Sequence, residues 1–404
     1  MATSTKAPAK KAAAKRAPQK TLTAAQKRAH DLAATVNKQL GTTSVQMASD
    51  PAYVVTYLST GILPMDCLLG GGIPRGRFTT ITGDFSTLKS YIAYMTIAQT
   101  QRDGGLCVLI DTEHAYDPAW AQSCGIDIDA LIIERPENGE LAIDVVQGFI
   151  GADVDLIVFD SVAATVPQAE SKKRLHDENI QPGRLAALMS AACRRLTAVN
   201  TNTAVLWINQ LREGIGVMFG PTEKATAGKA LPYYSSYIIN IRKTGKITED
   251  IKMFTGEKWQ STKEQIGQKF KAELQKSKLS KPFRESWFDW SMTDVQIDEV
   301  GYAINQAVDN GIIEYSGASW VYGDFKVQGR EKFKEFVGSN PQVAHTLVQE
   351  VRALHGLEYD DKPLVGIDAP VTTPVEAPRK ALKKIGTKAT AVKPPARKRA
   401  TAKR

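Results

Sequence analysis

The segment from residue 83 to residue 90 has the residue types that bind phosphate groups in proteins. It reads Gly-Asp-Phe-Ser-Thr-Leu-Lys-Ser, follows an apolar strand pattern at residues 78–82 and precedes a helical pattern. In that context such a segment, a P-loop, wraps backbone N–H groups around phosphate oxygens at a helix N-terminus. Lys89 is then expected to neutralise the β- and γ-phosphates, and the Ser90 hydroxyl to hold Mg²⁺. The expected nucleotide ligands are Gly83, Asp84, Phe85, Ser86, Thr87, Leu88, Lys89 and Ser90.

One position departs from the usual GxxxxGK[ST] spacing, because Leu88 stands where the second glycine is expected. That glycine normally lets the backbone bend without a steric penalty. Taken alone, the segment therefore leaves open an ordinary strand–turn–helix connection with a surface lysine.

Polar residues at the ends of three other strand patterns favour the nucleotide interpretation. Asp160 ends one apolar run and suits a ligand of Mg²⁺ or of its water. Glu113 follows a second run, where it could orient and deprotonate an attacking water. Asn209 and Gln210 end a third, where a side-chain amide could sense a γ-phosphate. Each residue alone could be a helix N-cap or a turn residue, but their order along the chain predicts nucleoside triphosphate hydrolysis.

The alternation of strand and helix patterns between residues 56 and about 290 indicates the fold class. It predicts an α/β core at residues 51–292 with a parallel-majority central sheet covered on both faces. Residues 293–360 contain short helices around a hairpin-like stretch at 312–327 and predict a small α/β C-terminal domain.

A capping box predicts a helix near the N-terminus. Thr23 is followed three residues later by Gln26, and Gly41 is the expected C-terminal stop. The apolar stripe of this helix is narrow. It could pack on its own domain, or it could dock on another subunit, and residues 21–50 then form an oligomerisation helix and strand.

The formal net charge of +9 is divided unevenly along the chain. Residues 1–20 hold six Lys or Arg and no acid, and residues 371–404 hold eleven Lys or Arg and one Glu. The residues between them carry more acidic than basic side chains, which excludes a uniformly basic DNA-binding globule. We expect residues 1–20 and 361–404 to be disordered basic tails.

Composition also limits the cellular location. The four cysteines are far apart and form no CxxC pair, which is typical of reduced thiols in a cytoplasmic protein without a zinc site. No run of about 18 apolar residues predicts a membrane span. The N-terminus lacks the apolar region of a secretory signal, although its Lys- and Ala-rich composition leaves a transit peptide open.

From about residue 24 to residue 358 the sequence resembles the bacterial RecA recombinase family. The matching segments are 59–66, 111–118, 158–164, 208–212, 216–220, 276–283 and 317–322. The resemblance implies a RecA-type P-loop ATPase core with an N-terminal oligomerisation segment and a small α/β C-terminal domain.

The resemblance also implies roles at the nucleotide. Glu113 corresponds to the catalytic residue that activates water, and Asp160 to the acidic residue that serves the metal. Asp117 and Trp120 fall where the family contacts the adenine base, by a hydrogen bond and by stacking. An aromatic ring at position 120 suits stacking in any case.

The resemblance implies roles for three further residues. Gln210 corresponds to the residue that couples the γ-phosphate to the DNA-binding loops. Lys276 and Lys278 correspond to a pair that reaches the phosphates bound by the neighbouring subunit, where they would stabilise the transition state. Without the resemblance, both would be interpreted as solvated surface lysines.

The family binds single-stranded DNA through two loops, which correspond here to residues 171–183 and 211–227. The first loop offers side chains that suit phosphate contacts. In the second, an apolar side chain is expected to wedge between base triplets. The implied DNA-binding residues are Lys172, Lys173, Arg174, Arg194, Arg195, Arg212, Ile215, Gly216, Met218, Phe219, Gly220 and Gly228.

Together these features predict an ATP- and Mg²⁺-dependent recombinase of DNA recombination and repair. It would form a helical filament on single-stranded DNA and exchange strands with homologous duplex DNA. Two alternatives remain open: a DNA-coating filament protein with feeble hydrolysis, suggested by Leu88, and a hexameric helicase or ATP-driven regulator on the same core.

Two departures from the family pattern, the variant P-loop and the basic C-terminal tail, favour a bacteriophage origin. The sequence does not explain the insertion at residues 244–270.

Overall fold

The structure is a computed structural model that describes residues 22–171, 183–213, 223–225, 228–254 and 259–359. The two basic tails and most of both predicted DNA-binding loops lie outside the described residues. The chain divides into two units, at residues 1–55 and 56–404.

The N-terminal unit contains one helix, α1 (Ala24–Leu40). Both hydrogen bonds of the capping box form, since Thr23 Oγ1 accepts from Gln26 N and Gln26 Oε1 accepts from Thr23 N. Gly41 ends the helix in the left-handed conformation, with φ 63°. The strand predicted after this helix does not form in the single chain, where only a 3₁₀ turn at Pro51–Tyr53 follows. A strand needs a partner for its backbone groups, and the prediction placed that partner on another subunit.

The core sheet has a parallel centre, as predicted. Earlier in the chain, β1 (Tyr57–Leu58) pairs with β2 (Ile73–Pro74) as a separate two-stranded sheet. The parallel strands of the core sheet are β3 (Phe78–Gly83), β4 (Cys107–Asp111), β5 (Leu131–Glu134), β6 (Leu156–Asp160), β7 (Ala204–Glu213) and β9 (Tyr237–Phe254). They lie in the order β9, β3, β7, β6, β4, β5.

Antiparallel strands extend one side of this sheet. The described residues of the insertion, 244–254 and 259–270, belong to two long antiparallel strands, β9 and β10 (Trp259–Ser277), which pair as a hairpin. The other antiparallel strands are β8 (Glu223–Ala225), which pairs with β7, and β11 (Arg284–Ser291) and β12 (Gln296–Ile297) at the edge of the sheet.

Helices cover both faces of the sheet because successive strand residues point to opposite sides. In β4, Cys107 and Leu109 join the apolar cluster of one face, and Val108 and Ile110 join that of the other. The first face packs on α2 (Leu63–Leu69), α3 (Lys89–Arg102) and α4 (Pro118–Ser123). The second packs on α5 (Gly139–Gly151), α7 (Arg184–Val199) and α8 (Ala230–Tyr234); the short α6 (Gln168–Ser171) precedes α7.

The C-terminal part of the chain has a third apolar cluster. Its helices are α9 (Glu299–Asp309), α10 (Arg330–Gly338) and α11 (Pro341–Leu354). The predicted hairpin is a three-stranded sheet of β13 (Glu314–Ser316), β14 (Ser319–Tyr322) and β15 (Phe325–Gln328). Leu63 and Cys67 of α2 complete this cluster, so the small domain packs directly on the core. Every helix within the described ranges is too short or too polar to span a membrane.

Candidate nucleotide-binding site

Strand register brings the predicted site residues to one edge of the sheet. Gly83 of β3 pairs with Gln210 of β7, and Asp111 of β4 pairs with Asp160 of β6. All four strands are parallel, so their carboxyl ends lie side by side at the edge where ligands bind in such folds. The P-loop, two acidic residues and the amide of Gln210 therefore share one surface.

The loop between β3 and α3 contains a leucine in a left-handed conformation. Leu88 lies at the N-cap of α3 with φ 62° and ψ 17°. Its side chain packs against the apolar cluster of the first face. A non-glycine residue in this region costs about 1–2 kcal/mol, so apolar packing offsets the strain that glycine would avoid.

Lys89 lies at the start of α3 and its ammonium faces the loop backbone. Its Nζ donates to Asp84 O at 2.6 Å and to Gly83 O at 3.1 Å. Burial lowers the pKa of Lys89, and the carboxylates of Asp160 and Glu113 oppose that shift. A cation held away from water beside loop N–H groups suits an anionic ligand such as a phosphate.

Ser90 and Asp160 form the pair that could hold a metal ion. Ser90 Oγ donates to Asp160 Oδ2 at 2.7 Å. Burial raises the pKa of Asp160 to about 6, against the hydrogen bond from Ser90 and with a further rise from Glu113 and Asp111. A hydroxyl and a carboxylate are hard oxygen ligands that suit Mg²⁺, and a bound cation would favour the charged carboxylate. The pair could therefore hold Mg²⁺, with phosphate and water as the remaining ligands.

The carboxylate of Glu113 accepts two hydrogen bonds on one oxygen. Ser161 Oγ donates to Oε1 at 2.5 Å, and Gln210 Nε2 donates to it at 3.1 Å. The contact joins two residues that the sequence placed on separate strand ends. Ser161, which follows Asp160 in the chain, is a third member of the group.

Asp111 and Arg135 support the segment that carries Glu113, a role that the sequence analysis missed. Asp111 is buried, and its carboxylate accepts from Ala115 N at 3.1 Å and from Tyr116 N at 3.2 Å. Arg135 Nε donates to the same carboxylate at 3.1 Å. These contacts fold the chain after Glu113 back onto the end of β4. Because Arg135 lies 24 positions from Asp111 in the chain, no local pattern connects them.

Asp117 and Trp120 lie together at the start of α4. Asp117 Oδ1 accepts from Trp120 N at 2.7 Å, which makes it the N-cap of that helix. The Trp120 ring is partly exposed and lies 6.4 Å from the Tyr91 ring. The cap contact accounts for Asp117 without a ligand, while the exposed ring leaves a surface on which a base could stack.

Two RecA domain families match the chain over most of its length. Residues 27–295 match the RecA N-terminal domain, and residues 301–356 match the RecA C-terminal domain. Protein RecA of Chlorobaculum tepidum is 41% identical over 325 residues, which cover 79% of this chain and 90% of that protein. Protein RecA of Thermus aquaticus is 39% identical over 334 residues, covering 81% of this chain and 93% of the relative.

The chain belongs to the RecA family. The resemblance noted in the sequence is thereby confirmed, as is the α/β fold with its small C-terminal domain. Family membership makes the chain an ATP-dependent DNA recombinase and a DNA-dependent ATPase.

Lys276 and Lys278, which the RecA resemblance implies act on a neighbouring subunit, contact α8 in the single chain. Lys276 Nζ donates to Pro232 O at 2.5 Å and to Tyr233 O at 3.0 Å. Lys278 Nζ donates to Tyr233 O at 3.2 Å and to Tyr234 O at 3.3 Å. Burial lowers the pKa of Lys276, and the charge of Lys278 adds to the shift. The carbonyls at the end of α8 thus hold both ammonium groups close together.

Few of the RecA-type DNA-binding residues fall in the described part of the chain. Arg195 of α7 pairs with Asp144 at 3.1 Å and also donates to Gln147, while Arg194 Nη1 donates to Ser190 Oγ at 3.2 Å. Gly228 has a φ of 76°, and Arg212 is a residue of strand β7. The other predicted DNA-binding residues lie outside the described residues: Lys172, Lys173, Arg174, Ile215, Gly216, Met218, Phe219 and Gly220.

We expect Leu88→Gly to change the ATPase rate by less than about threefold, since Leu88 already has the conformation that glycine adopts freely. Stability should change little, because relief of strain opposes lost packing and added chain entropy. The matched variant Leu88→Ala keeps the strain and loses the packing, so it should be the less stable of the two. Steady-state ATPase with single-stranded DNA and urea unfolding measure both. A tenfold faster Leu88→Gly enzyme would instead support the interpretation as a weakly hydrolysing coating protein.

We expect Arg135→Gln to lower the kcat of the ATPase by about tenfold with little change in nucleotide affinity. The substitution removes the cation that pairs with Asp111, which loosens the segment of Glu113 but leaves the P-loop intact. Arg135→Lys should restore much of the rate because it keeps the charge. Single-turnover hydrolysis and nucleotide titration separate the two effects. A loss of affinity equal to the loss of rate would contradict a positioning role.

Proposed function

We propose that this RecA-family chain forms a helical filament on single-stranded DNA and exchanges strands with homologous duplex DNA. In this proposal ATP and Mg²⁺ lie between neighbouring subunits. The observation that supports it most directly is the hydrogen bond from Gln210 to Glu113. Gln210 lies in β7, the strand that leads into the predicted second DNA loop, so the contact connects the hydrolytic carboxylate to the DNA-binding segment.

The arrangement supports separate roles for the site residues in ATP hydrolysis. Lys89 and the loop N–H groups bind the phosphates, and Ser90 with Asp160 would hold Mg²⁺, which supplies charge stabilisation at the phosphate oxygens. Glu113 accepts the proton of the attacking water. Ser161 and Gln210 orient that carboxylate by their hydrogen bonds to Oε1. Trp120 is the residue that we expect to stack on the adenine.

Neighbouring subunits would supply the remaining parts. The two ammonium groups of Lys276 and Lys278 are already close together, as a pair that stabilises the charge of a neighbour's transition state requires. The apolar residues Leu32, Val36 and Leu40 of α1 are exposed, and no residue of α1 is buried. We propose that α1 docks on the next subunit, where residues 42–50 would gain a strand partner.

Strand exchange between homologous circular single-stranded and linear duplex DNA tests the proposed function. We expect joint molecules with ATP and Mg²⁺, and none with heterologous duplex. Electron micrographs with an ATP analogue should show open helical filaments on the DNA. Closed rings would instead indicate a hexameric helicase or regulator, and homology-independent coating without exchange would indicate a DNA-coating protein.

The basic C-terminal tail is proposed to capture duplex DNA without reading its sequence, because its Lys and Arg side chains would attract DNA phosphates and raise the local DNA concentration. Deletion of residues 371–404 should therefore weaken duplex binding and reduce its salt dependence. ATPase stimulated by single-stranded DNA should stay close to wild type. Filter binding at several salt concentrations and steady-state ATPase measure the two effects. A collapse of the ATPase would mean that the tail is integral to the filament.

We place the protein in the cytoplasm of a bacterium or of a phage-infected host, and a phage origin stays a prediction.

A further inference from the structure

Phe85 and Lys243 form a contact beside the P-loop that the roles proposed above do not use. Phe85 is the third residue of the loop and is 74% exposed. The ammonium of Lys243 lies 4.6 Å from the centroid of its ring. A cation over an exposed phenylalanine ring is held only weakly. The contact therefore keeps the ammonium near the loop and leaves it able to bind an anion.

The register of the sheet explains why a residue so distant in the chain reaches the P-loop. Ile241 of β9 pairs in parallel with Gly83, the first residue of the loop. Lys243 follows two residues later in β9, so it lies just beyond the end of β3, at the same edge of the sheet as the loop. Its side chain is exposed there, beside the loop residues that are expected to surround a phosphate.

The charge of Lys243 acts on the site. Repulsion from Lys243 is one of the causes that lower the pKa of Lys89, after burial. Within the described part of the chain, Lys243 forms no ion pair with a carboxylate, and its ammonium contacts the Phe85 ring. Two cations near one loop repel each other unless an anion lies between or beside them. The P-loop is expected to bind a polyphosphate, which would be such an anion.

We propose that Lys243 is a further cation of the nucleotide site, which contacts the terminal phosphates of a nucleoside triphosphate, and that Phe85 holds it beside the loop beforehand. This inference rests on the proposed function, because the ligand is the nucleotide of the same P-loop. It adds a residue from the base of the β9–β10 hairpin to the site. A terminal phosphate would replace the ring as the partner of the ammonium, with a stronger, charge-assisted contact.

Nucleotide titration of the full-length protein with Mg²⁺ tests the inference, with ATPγS and ADP as probes. Lys243→Met removes the charge but keeps an unbranched apolar side chain for the ring. We expect it to weaken ATPγS binding by about tenfold and ADP binding by no more than about threefold. Lys243→Arg should keep both affinities within about twofold. Raising the salt concentration should reduce the ATPγS affinity of the wild type more than that of Lys243→Met.

The matched variant Phe85→Leu separates phosphate binding from bracing of the loop. Under the proposal, it should leave the preference for ATPγS over ADP intact, since Lys243 keeps its charge. If Lys243→Met and Phe85→Leu instead weaken both nucleotides equally, the pair is only a brace and the inference is wrong. Unchanged ATPγS affinity in Lys243→Met also overturns it while leaving the proposed function standing. A wild-type protein that binds no nucleotide would overturn the proposed function itself.

Discussion

Glu113→Gln should lower the kcat of the DNA-stimulated ATPase by about 10²–10³-fold, because it removes the group that accepts a proton from the attacking water. Glutamine keeps the size of the side chain and an oxygen that can accept from Ser161. Nucleotide affinity should therefore stay within about threefold of wild type. The variant should form filaments that persist, because we expect hydrolysis to release the filament from DNA.

Phosphate release in a single turnover, measured with single-stranded DNA, gives the rate. The matched control is Glu137→Gln, which removes a carboxylate at an exposed position outside the site and should hydrolyse ATP at the wild-type rate. An unchanged rate in Glu113→Gln would contradict its role as the base.

Asp160→Asn should abolish most hydrolysis and yet stabilise the protein that lacks nucleotide and Mg²⁺. In activity we expect a loss of about 10²-fold and a weaker response to Mg²⁺, because the amide carries no charge for the cation. The stability effect follows from burial, which raises the pKa of Asp160 from 3.8 to about 6. Ionising this group in the folded state is therefore more costly than in the unfolded state.

The sign of the pH dependence follows from that shift. The contribution of Asp160 to stability is fully present below pH 3.8 and is lost as pH rises through about 6. At pH 8 the ionised carboxylate lowers the free energy of unfolding by at most about 3 kcal/mol. Asparagine has no such cost, so the variant should exceed the wild type in stability at pH 8, and the difference should shrink towards pH 4.

Urea unfolding in EDTA at several pH values measures this difference. Asp129→Asn, at an exposed position, is the matched control and should show no comparable pH-dependent gain. Added Mg²⁺ with nucleotide should stabilise the wild type more than Asp160→Asn. A wild type that is the more stable protein at pH 8 without Mg²⁺ would contradict the cost assigned to the buried carboxylate.

Local patterns predicted much of the core. The capping box of α1 forms with both of its hydrogen bonds, and Asp160 ends the strand β6, as the apolar run before it predicted. The strand ends could be grouped into one site because parallel strands place their carboxyl ends at one edge. Asp160 beside Ser90 and Gln210 beside Glu113 are the direct result.

Contacts between distant segments could not be predicted in this way. Arg135 meets Asp111, Ser161 meets Glu113 and Lys243 meets Phe85, although no motif joins the two members of any pair. Each contact depends on the register of neighbouring strands and on the path of the loop after a strand. The strand expected after α1 stays a prediction, because its pairing was placed on another subunit and the single chain forms only a 3₁₀ turn at Pro51–Tyr53 there.

The sequence by itself determined which residues could bind phosphate and metal. It also determined the order along the chain of the strands that carry these residues, and the family of the chain. These depend on residue type and on spacing along the chain, which short-range rules describe. Only the tertiary structure decided how the carboxylates are held, how Leu88 fits the loop, and that a lysine of the long hairpin lies beside the nucleotide site. Those features depend on burial and sheet register, which arise when distant segments pack together.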